Sequence, residues 1–488
     1  MNRTLHWYDY ITLNVYFLGL TTISQTMSPL VIPLLVEHFV GEAQKATFYG
    51  TTRLWTLMTA LLVQALMGIL SDRSTSHFGR RRPFIFVGTL AALALIAAIG
   101  FSERMEGMSV YWFLFAMLIL LQIASNIGQA AQQGLIPDLV PEDQRGRASA
   151  IKALMELIPL VLIGFTISRM VAAGQLNWAV AATGGVLLLT ALLTMVLVRE
   201  KPLAEKPTTP FGPPMVRVLG MLAGIVLGAV AGLLAGGILG GLAGLITWAL
   251  AGKPTALAVG VGVGGVVAMI VAVVAGVWAG AVATLGHDAR MQSSFTWWVV
   301  NRLLFLAAVT SIQTFAVYFL MYAFRVSLEE ATGINGTLMI MVGLTTLVGA
   351  LASGWLADRF GRKRLVGLSG LVAAVGALVL LATIWAPNMG LIYAVGVVVG
   401  VAAGVFMTSN WALGTDLVPP AEAGRYLGIS NLAGAGAGII GSGIGGPVAD
   451  YLNGYRPGLG YFAIFAGFAI LLVLSTVSLL GIRHEGQA

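Results

Sequence analysis

The chain has 488 residues, of which 58% are hydrophobic and 10% charged, with no cysteine and a formal net charge of +7. A soluble chain would carry roughly 25% charged residues, so the composition excludes a water-soluble enzyme, a disordered chain and a nucleic-acid-binding protein. Disulfides and thiolate sites are absent with cysteine, and His6, His38, His77, His287 and His484 are scattered without ligand spacing. No metal, cofactor or catalytic set is expected.

A bilayer core ~30 Å thick needs about 20 apolar residues per helix, because every backbone polar group must be satisfied within the protein. In chain order such stretches fall at 11–36, 48–71, 83–101, 111–136, 149–172 and 178–198. After an unusual middle region they resume at 297–324, 335–357, 364–386, 389–416, 424–451 and 459–482. The first lacks a small-residue cleavage site, which predicts a retained helix and not a signal peptide. Cations cluster in alternate loops: Arg73 with Arg80–Arg82, Arg145 with Arg147 and Lys152, Arg199 to Arg217, and Arg359 with Arg362–Arg364. The positive-inside rule makes those loops cytoplasmic and puts both termini inside. The basic balance is thereby an insertion signal, and a nucleic-acid patch is the weaker reading.

These spans predict an all-α integral membrane protein of three parts. Residues 1–205 form a six-helix bundle, 206–292 a linker with an inserted hairpin, and 293–488 a second six-helix bundle. Prolines 202, 207, 210, 213 and 214 mark the linker. Beyond it, 218–251 and 255–285 are apolar, and Lys253 and Pro254 are expected at an outer turn, giving fourteen helices in all. At 1.5 Å per residue the first stretch is ~51 Å long, so it is expected to tilt, to break near Gly236–Gly237, or to pass beyond the bilayer. Glycine recurs every fourth residue from Gly220 to Gly244. Residues four apart share a helix face, and such a bare face permits close helix approach. It reads either as a dimer or partner interface or as packing against the neighbouring bundle.

Two loop motifs recur. Gly68, Asp72 and Arg73 followed by Gly79, Arg80, Arg81 and Arg82 reappear as Gly354, Asp358 and Arg359 followed by Gly361, Arg362, Lys363 and Arg364. Asp138 and Pro141 with Gly146 and Arg147 reappear as Asp416 and Pro419 with Gly424 and Arg425. Duplicated halves with a site between them are the architecture of alternating-access carriers. The paired signature resembles that of the major facilitator superfamily. The stretch Ser71-Asp72-Arg73, a polar spacer and Phe78 to Phe84, with Ser28-Pro29, Leu62-Val63-Gln64, Asn126 and Gln129, resembles the glycoside–pentoside–hexuronide cation symporters and their sucrose-symporter-like members. The chain departs from that branch's twelve-helix plan through the insert, shared in outline with fourteen-helix drug exporters. Gln133 stands where sucrose-like members tend to carry arginine.

The loop residues Gly68, Asp72, Arg73, Gly79, Arg80, Gly354, Asp358, Arg359, Gly361 and Arg362 suit a cytoplasmic latch. Carboxylates there can accept hydrogen bonds from arginine and from helix N-termini, where the dipole favours negative charge. The plainer reading of Arg80–Arg82 is topology alone. Ionisable groups at depth cost at least ~2.5 kcal/mol and point to function by default. Glu156 is the proton-coupling candidate, with pairing to Lys152 as the alternative; Arg53 and Arg302 are candidates for a substrate oxygen or carboxylate, against snorkelling to an interface. Glu37 and Asp450 fall near outer helix ends, where solvation is the simpler expectation. Gln25, Asn126, Gln129, Gln132, Gln133, Gln313, Tyr318, Asn410, Trp411 and Asn431 form the expected cavity set, since amides with aromatic platforms suit sugars. Interhelical hydrogen bonding is the competing role for each.

The sequence thus predicts a secondary transporter, not an enzyme, in the cell membrane, with a bacterial inner membrane as the expected setting. Its partners would be a small solute, a proton and lipid, without nucleic acid. Symport of a glycoside or other small polar solute is the first expectation. Export of amphipathic drugs or lipids by proton antiport, or a non-transporting sensor or assembly role, are the alternatives.

Overall fold

The structure, a computed structural model, describes residues 6–141, 144–200, 212–285, 293–417, 438 and 441–482. Among these residues there are helices and no strand. The first six helices are α1 (Trp7–Val40), α2 (Lys45–Asp72), α3 (Arg82–Ser102), α4 (Met108–Leu139), α5 (Arg145–Phe165) and α6 (Leu176–Leu197). The inserted pair is α7 (Gly212–Ala251) and α8 (Lys253–Leu285). Then come α9 (Ser293–Phe324), α10 (Leu328–Phe360), α11 (Arg362–Ala382), α12 (Met389–Asp416), α13 (441–455) and α14 (Leu459–Ser478). Thirteen of the described helices are long and apolar enough to cross a membrane. The span expected at 424–451 lies partly outside the described residues, as do Pro419, Gly424, Arg425 and Asn431.

Local chemistry explains where the helices bend and stop. Pro29 has no N–H for the Gln25 carbonyl, and α1 widens into a π turn at Met27–Val31. The span expected as continuous at 149–172 breaks at Thr166, and helix resumes at Ile167–Ala172. The Thr166 hydroxyl donates to the Leu162 carbonyl at 2.7 Å, a back-bond that bends helices. Pro83 opens α3, where its missing donor costs nothing, and the Asn388 side chain accepts from Leu391 N at 3.0 Å to cap α12.

The chain divides into two compact units. One holds Met1–Val40, Met58–Val216 and Leu328–Ile340; the other holds Gly41–Leu57, Arg217–Ser327 and Met341–Ala488. In the first unit α3 packs on α4 and α6, and α1 on α5 and α6. In the second, α11 packs on α12 and α14, and α9 on α14. The neighbour pairs α3–α4, α3–α6 and α1–α6 therefore recur eight helices later, as a duplicated bundle requires. Apolar side chains such as Leu90, Val196, Leu227, Ile238 and Leu351 remain exposed, which suits helix faces bathed in lipid.

The insert belongs to the second unit almost entirely. The break anticipated near Gly236–Gly237 is not there: α7 runs unbroken for 40 residues. Gly252, at φ +83°, makes the turn to α8. The glycine face is turned to the hairpin's own second helix. A Cβ at Gly228, Gly232, Gly236 or Gly240 would collide with the backbone or small side chains of Gly276, Ala272, Ala268 and Gly264 on α8. The expectation that this face forms a dimer or partner interface is corrected accordingly, and so is the alternative that it packs on a neighbouring bundle. The second helix, α8, packs against α9 and α14.

Candidate functional site

In the first copy of the loop motif Arg81 is central and only 3% exposed. Its Nη2 donates to Asp72 at 2.5 Å, its Nε to Asp138 at 2.9 Å, and its Nη1 to the Ser71 hydroxyl at 2.5 Å. Arg80 reaches Asp72 at 2.7 Å and Asp138 at 3.6 Å. Glu200, beyond the end of α6, accepts the backbone N–H groups of Arg81 at 2.8 Å and Arg82 at 3.3 Å. Two guanidinium groups thus face Asp72 and Asp138, the Arg82 guanidinium turns to the Met195 carbonyl, and Glu200 takes the backbone, all in the first unit. Gly79 is at φ +110°, a conformation that favours glycine, and Gly134 leaves the space filled by the Arg81 guanidinium.

Charge and burial tune this cluster. Burial alone would lower the Arg81 guanidinium, but hydrogen bonding and charge from Asp138, with Asp72, hold it above its ordinary value. Burial pushes the Glu200 carboxyl up, against the two backbone N–H groups that pull it down. The sequence motif pointed to Asp72 and Arg80. It missed Arg81 as the hub and Glu200 as a member. The joint repetition of both loop motifs was the available signal that Asp138 would meet Arg80.

The second copy repeats the geometry more openly. Gly361 is at φ +84° and starts α11. Arg362 Nη1 donates to both Asp416 oxygens, at 2.5 and 2.6 Å, with both side chains about half exposed. Lys363 Nζ donates to the Ile482 carbonyl at 2.7 Å, and Arg359 lies over the Trp355 and Phe360 rings. The Asp358 side chain lies outside the described residues. Neither Gly68 nor Gly354 has a neighbour within 4 Å of its Cβ position.

The depth candidates fall into separate groups. In the first unit Glu156 pairs with Lys152 at 3.2 Å and keeps 40% of its side chain exposed. Asn126 is buried and donates to the Gln122 carbonyl at 2.8 Å, Gln132 is buried and donates to the Leu13 carbonyl at 2.5 Å, Gln25 and Gln129 are half-buried, and Gln133 is exposed. In the second unit Gln313 is exposed. Arg302 is 7% exposed and donates from Nη1 to Asn410 Oδ1 at 3.1 Å, with its guanidinium 5.4 Å from the Trp411 ring. Asn410 donates to Asn301 Oδ1 at 2.7 Å, Asn301 donates to the Ser475 carbonyl at 2.7 Å, and Trp298 Nε1 donates to the Asn410 carbonyl at 2.8 Å. This chain ties α9, α12 and α14 together. Asn301, Ser475 and Trp298 were not singled out by sequence reading, although Asn301 adjoins Arg302.

Tyr318 belongs to a third group in the same unit, at the start of α2. It is 1% exposed, edge-on to Tyr49 with ring centroids 5.8 Å apart, and under the Lys45 ammonium at 5.0 Å. Asp450, expected in solvent, instead accepts Thr47 N at 2.6 Å and Ala46 N at 3.3 Å, capping the first turn of α2. The expectation failed because helix-end position alone does not show which neighbouring N–H groups need an acceptor. Arg53, half-buried on α2, has its Nε shielded without a hydrogen-bond partner among the described residues.

Residues 16–299 and 302–486 match the sequence profile of the Major Facilitator Superfamily. The chain belongs to this superfamily. It is a multi-pass membrane protein, and the likeness drawn from its loop motifs holds at family level. A sucrose transport protein of Arabidopsis thaliana is 32% identical over 184 residues, 31% of this chain and 31% of that protein. A general alpha-glucoside permease of Schizosaccharomyces pombe is 31% identical over 150 residues, 27% of each chain. The matches therefore span less than a third of those relatives' length. Among solved structures, a D-xylose-proton symporter superposes with a TM-score of 0.64 at 16% identity, covering 98% of this chain and 99% of that one. A POT family transporter in complex with 5-aminolevulinic acid gives 0.64 at 14% identity, covering 96% and 94%. At these identities the superpositions show the major facilitator fold alone.

Proposed function

We propose that this member of the superfamily is a secondary active transporter that moves a glycoside or similar small polar solute together with a proton, by alternating access. The observation that carries the substrate class is the regional identity to a sucrose transport protein and to an alpha-glucoside permease. Duplicated bundles support alternating access. Polar groups on α1, α4, α9 and α12, namely Gln25, Asn126, Gln129, Gln133, Gln313, Tyr318, Asn410 and Trp411, remain the proposed solute-recognition set. Within it Gln25, Gln129, Gln133, Gln313 and Trp411 keep accessible surface, which favours them for direct contact, while Tyr318 and Asn410 hold neighbouring helices and Asn126 bonds back to Gln122 on its own helix. Glu156 is the proposed proton carrier. Its half-exposed carboxylate shares a helix turn with Lys152, so that protonation would release the lysine. Arg53 and Arg302 are proposed to set the charge of the pathway.

The experiment is uptake into proteoliposomes with an imposed pH gradient, using sucrose and alpha-glucosides. Uptake should follow the gradient, and Glu156→Gln should abolish that dependence while leaving exchange of unlabelled for labelled solute. Gradient-independent uptake, or a Glu156→Gln variant that couples normally, would contradict the coupling. A second reading, export of amphipathic compounds, is favoured by the inserted helix pair and would show as extrusion of an apolar dye with no glycoside uptake.

A further inference from the structure

The second unit holds an apolar groove of about 820 Å³ between α7, α8 and α13. Its walls include Gly237 and Gly241 of α7, Gly265 of α8, and Ile444 and Val448 of α13, and Trp248 and Lys253 line it beside the hairpin turn. We propose that this groove holds one acyl chain of an anionic phospholipid drawn from the bilayer, with the lipid phosphate against the Lys253 ammonium.

The glycines of α7 are of two kinds. At Gly236 and Gly240 a Cβ would strike α8, so close packing explains them. At Gly237 and Gly241 a Cβ would meet nothing within 4 Å. Helix contact gives no reason for a bare backbone there, and what these glycines preserve is the open volume itself. That volume lies in the range of about 300–1,000 Å³ typical of single-ligand sites. From Leu233 to Trp248 the groove wall runs ~22 Å at 1.5 Å per residue. One leaflet supplies about half of the ~30 Å hydrocarbon core, so the groove is long enough for a whole acyl chain entering from the Lys253 side.

Charge selects among lipids. Lys253 is the single Lys, Arg, Asp or Glu between Arg217 and Asp288, and it lies at the end where a headgroup would sit. The hydroxyls of Thr255 and Tyr455, 3.2 Å apart, link α8 to α13 near that end and offer further polar contacts. A sterol could use the same walls but would leave the lysine without a counter-charge, and a zwitterionic lipid would present its phosphate together with a headgroup cation that competes with the lysine for it. The inference concerns the insert and does not depend on which solute is carried.

The test is lipid retention. Protein is reconstituted in equimolar phosphatidylglycerol and phosphatidylethanolamine, re-extracted in detergent, and its retained lipid measured by mass spectrometry. Wild type should keep about one phosphatidylglycerol per chain, enriched about fivefold, the effect of one cation near a lipid surface. Gly241→Leu should lose the retained lipid, whereas Gly185→Leu on α6, where a Cβ also meets open space, should keep it. Lys253→Gln should keep a lipid but lose the enrichment. Because Lys253 is exposed in the turn, this variant decides the matter even if Gly241→Leu fails to fold. Equal retention in Gly241→Leu and wild type, equal loss in Gly185→Leu, or undiminished enrichment in Lys253→Gln would overturn the proposal.

Discussion

Arg81 and Arg362 stand in the two copies of one loop motif, yet they do different physical work. Arg81 is sealed among Asp72, Asp138 and Ser71. Truncating it to Gln leaves Asp72 and Asp138 with Arg80 alone and should cost about 3 kcal/mol, the low end for breaking a buried pair because Arg80 remains and Asp72 is half exposed. Arg362 and Asp416 are both about half exposed, and Arg362→Gln should cost less than about 1 kcal/mol. Thermal unfolding in detergent compares the two directly, and equal losses would contradict the assigned burial. Glu200 adds a pH dependence. Its carboxyl sits above the ordinary value in the folded protein, so its contribution is fully present below the ordinary carboxylate pKa and is lost as pH rises through the raised one. Glu200→Gln removes that loss. The variant's unfolding midpoint should gain on wild type as pH climbs through the acid range, and a constant difference would exclude the linkage. At this scale the motif residues were legible because short-range spacing carries them. Glu200, Asn301 and Ser475 were not, because tertiary packing alone brings them to their partners.

The inserted hairpin shows how one helix reads another. The four-residue spacing of glycines on α7 was plain in the sequence. Its complement, Ala256, Gly260, Gly264, Ala268, Ala272, Gly276 and Gly280 on α8, has the same spacing and was legible too, had the two stretches been compared. Small residues on both sides let the backbones touch, where dispersion and Cα–H···O contacts replace side-chain packing. Gly232→Val should force the helices apart and cost about 1–3 kcal/mol by overpacking. Gly185→Val, placed in open space, should leave the unfolding midpoint within the scatter of wild type. If Gly232→Val were equally neutral, the close approach would be wrong. The break at Thr166 and the π turn after Thr26 were not predicted, since hydropathy reports a span's existence and not its internal hydrogen bonds.

Over the whole molecule, the duplicated neighbour pairs agree with the repeat read from the loops, but the two compact units do not follow the sequence halves. Helices α2 and α10 each give their first turns to one unit and the remainder to the other. A long helix changes neighbours along its length, and hydropathy has no term for that. Fold likeness also leaves the solute open, since a D-xylose-proton symporter and a POT family transporter superpose equally well. Ligand binding to the folded state separates them. A ligand at a hundred times its Kd stabilises by about 2.7 kcal/mol, so glycosides should raise the unfolding midpoint while dipeptides and nucleosides leave it unchanged. A response to dipeptides instead would redirect the substrate class.

The hairpin's attachment has a mechanical consequence. α7 is ~60 Å long at 1.5 Å per residue, far more than the hydrocarbon core it crosses, and α8 is fastened to α9 and α14. A change in bilayer thickness has to be met by so long a helix through tilt, bending or deformation of the surrounding lipid. Whatever the helix takes up reaches α9 and α14 of the second unit through α8. The inserted pair is therefore a place where bilayer thickness bears on the second unit.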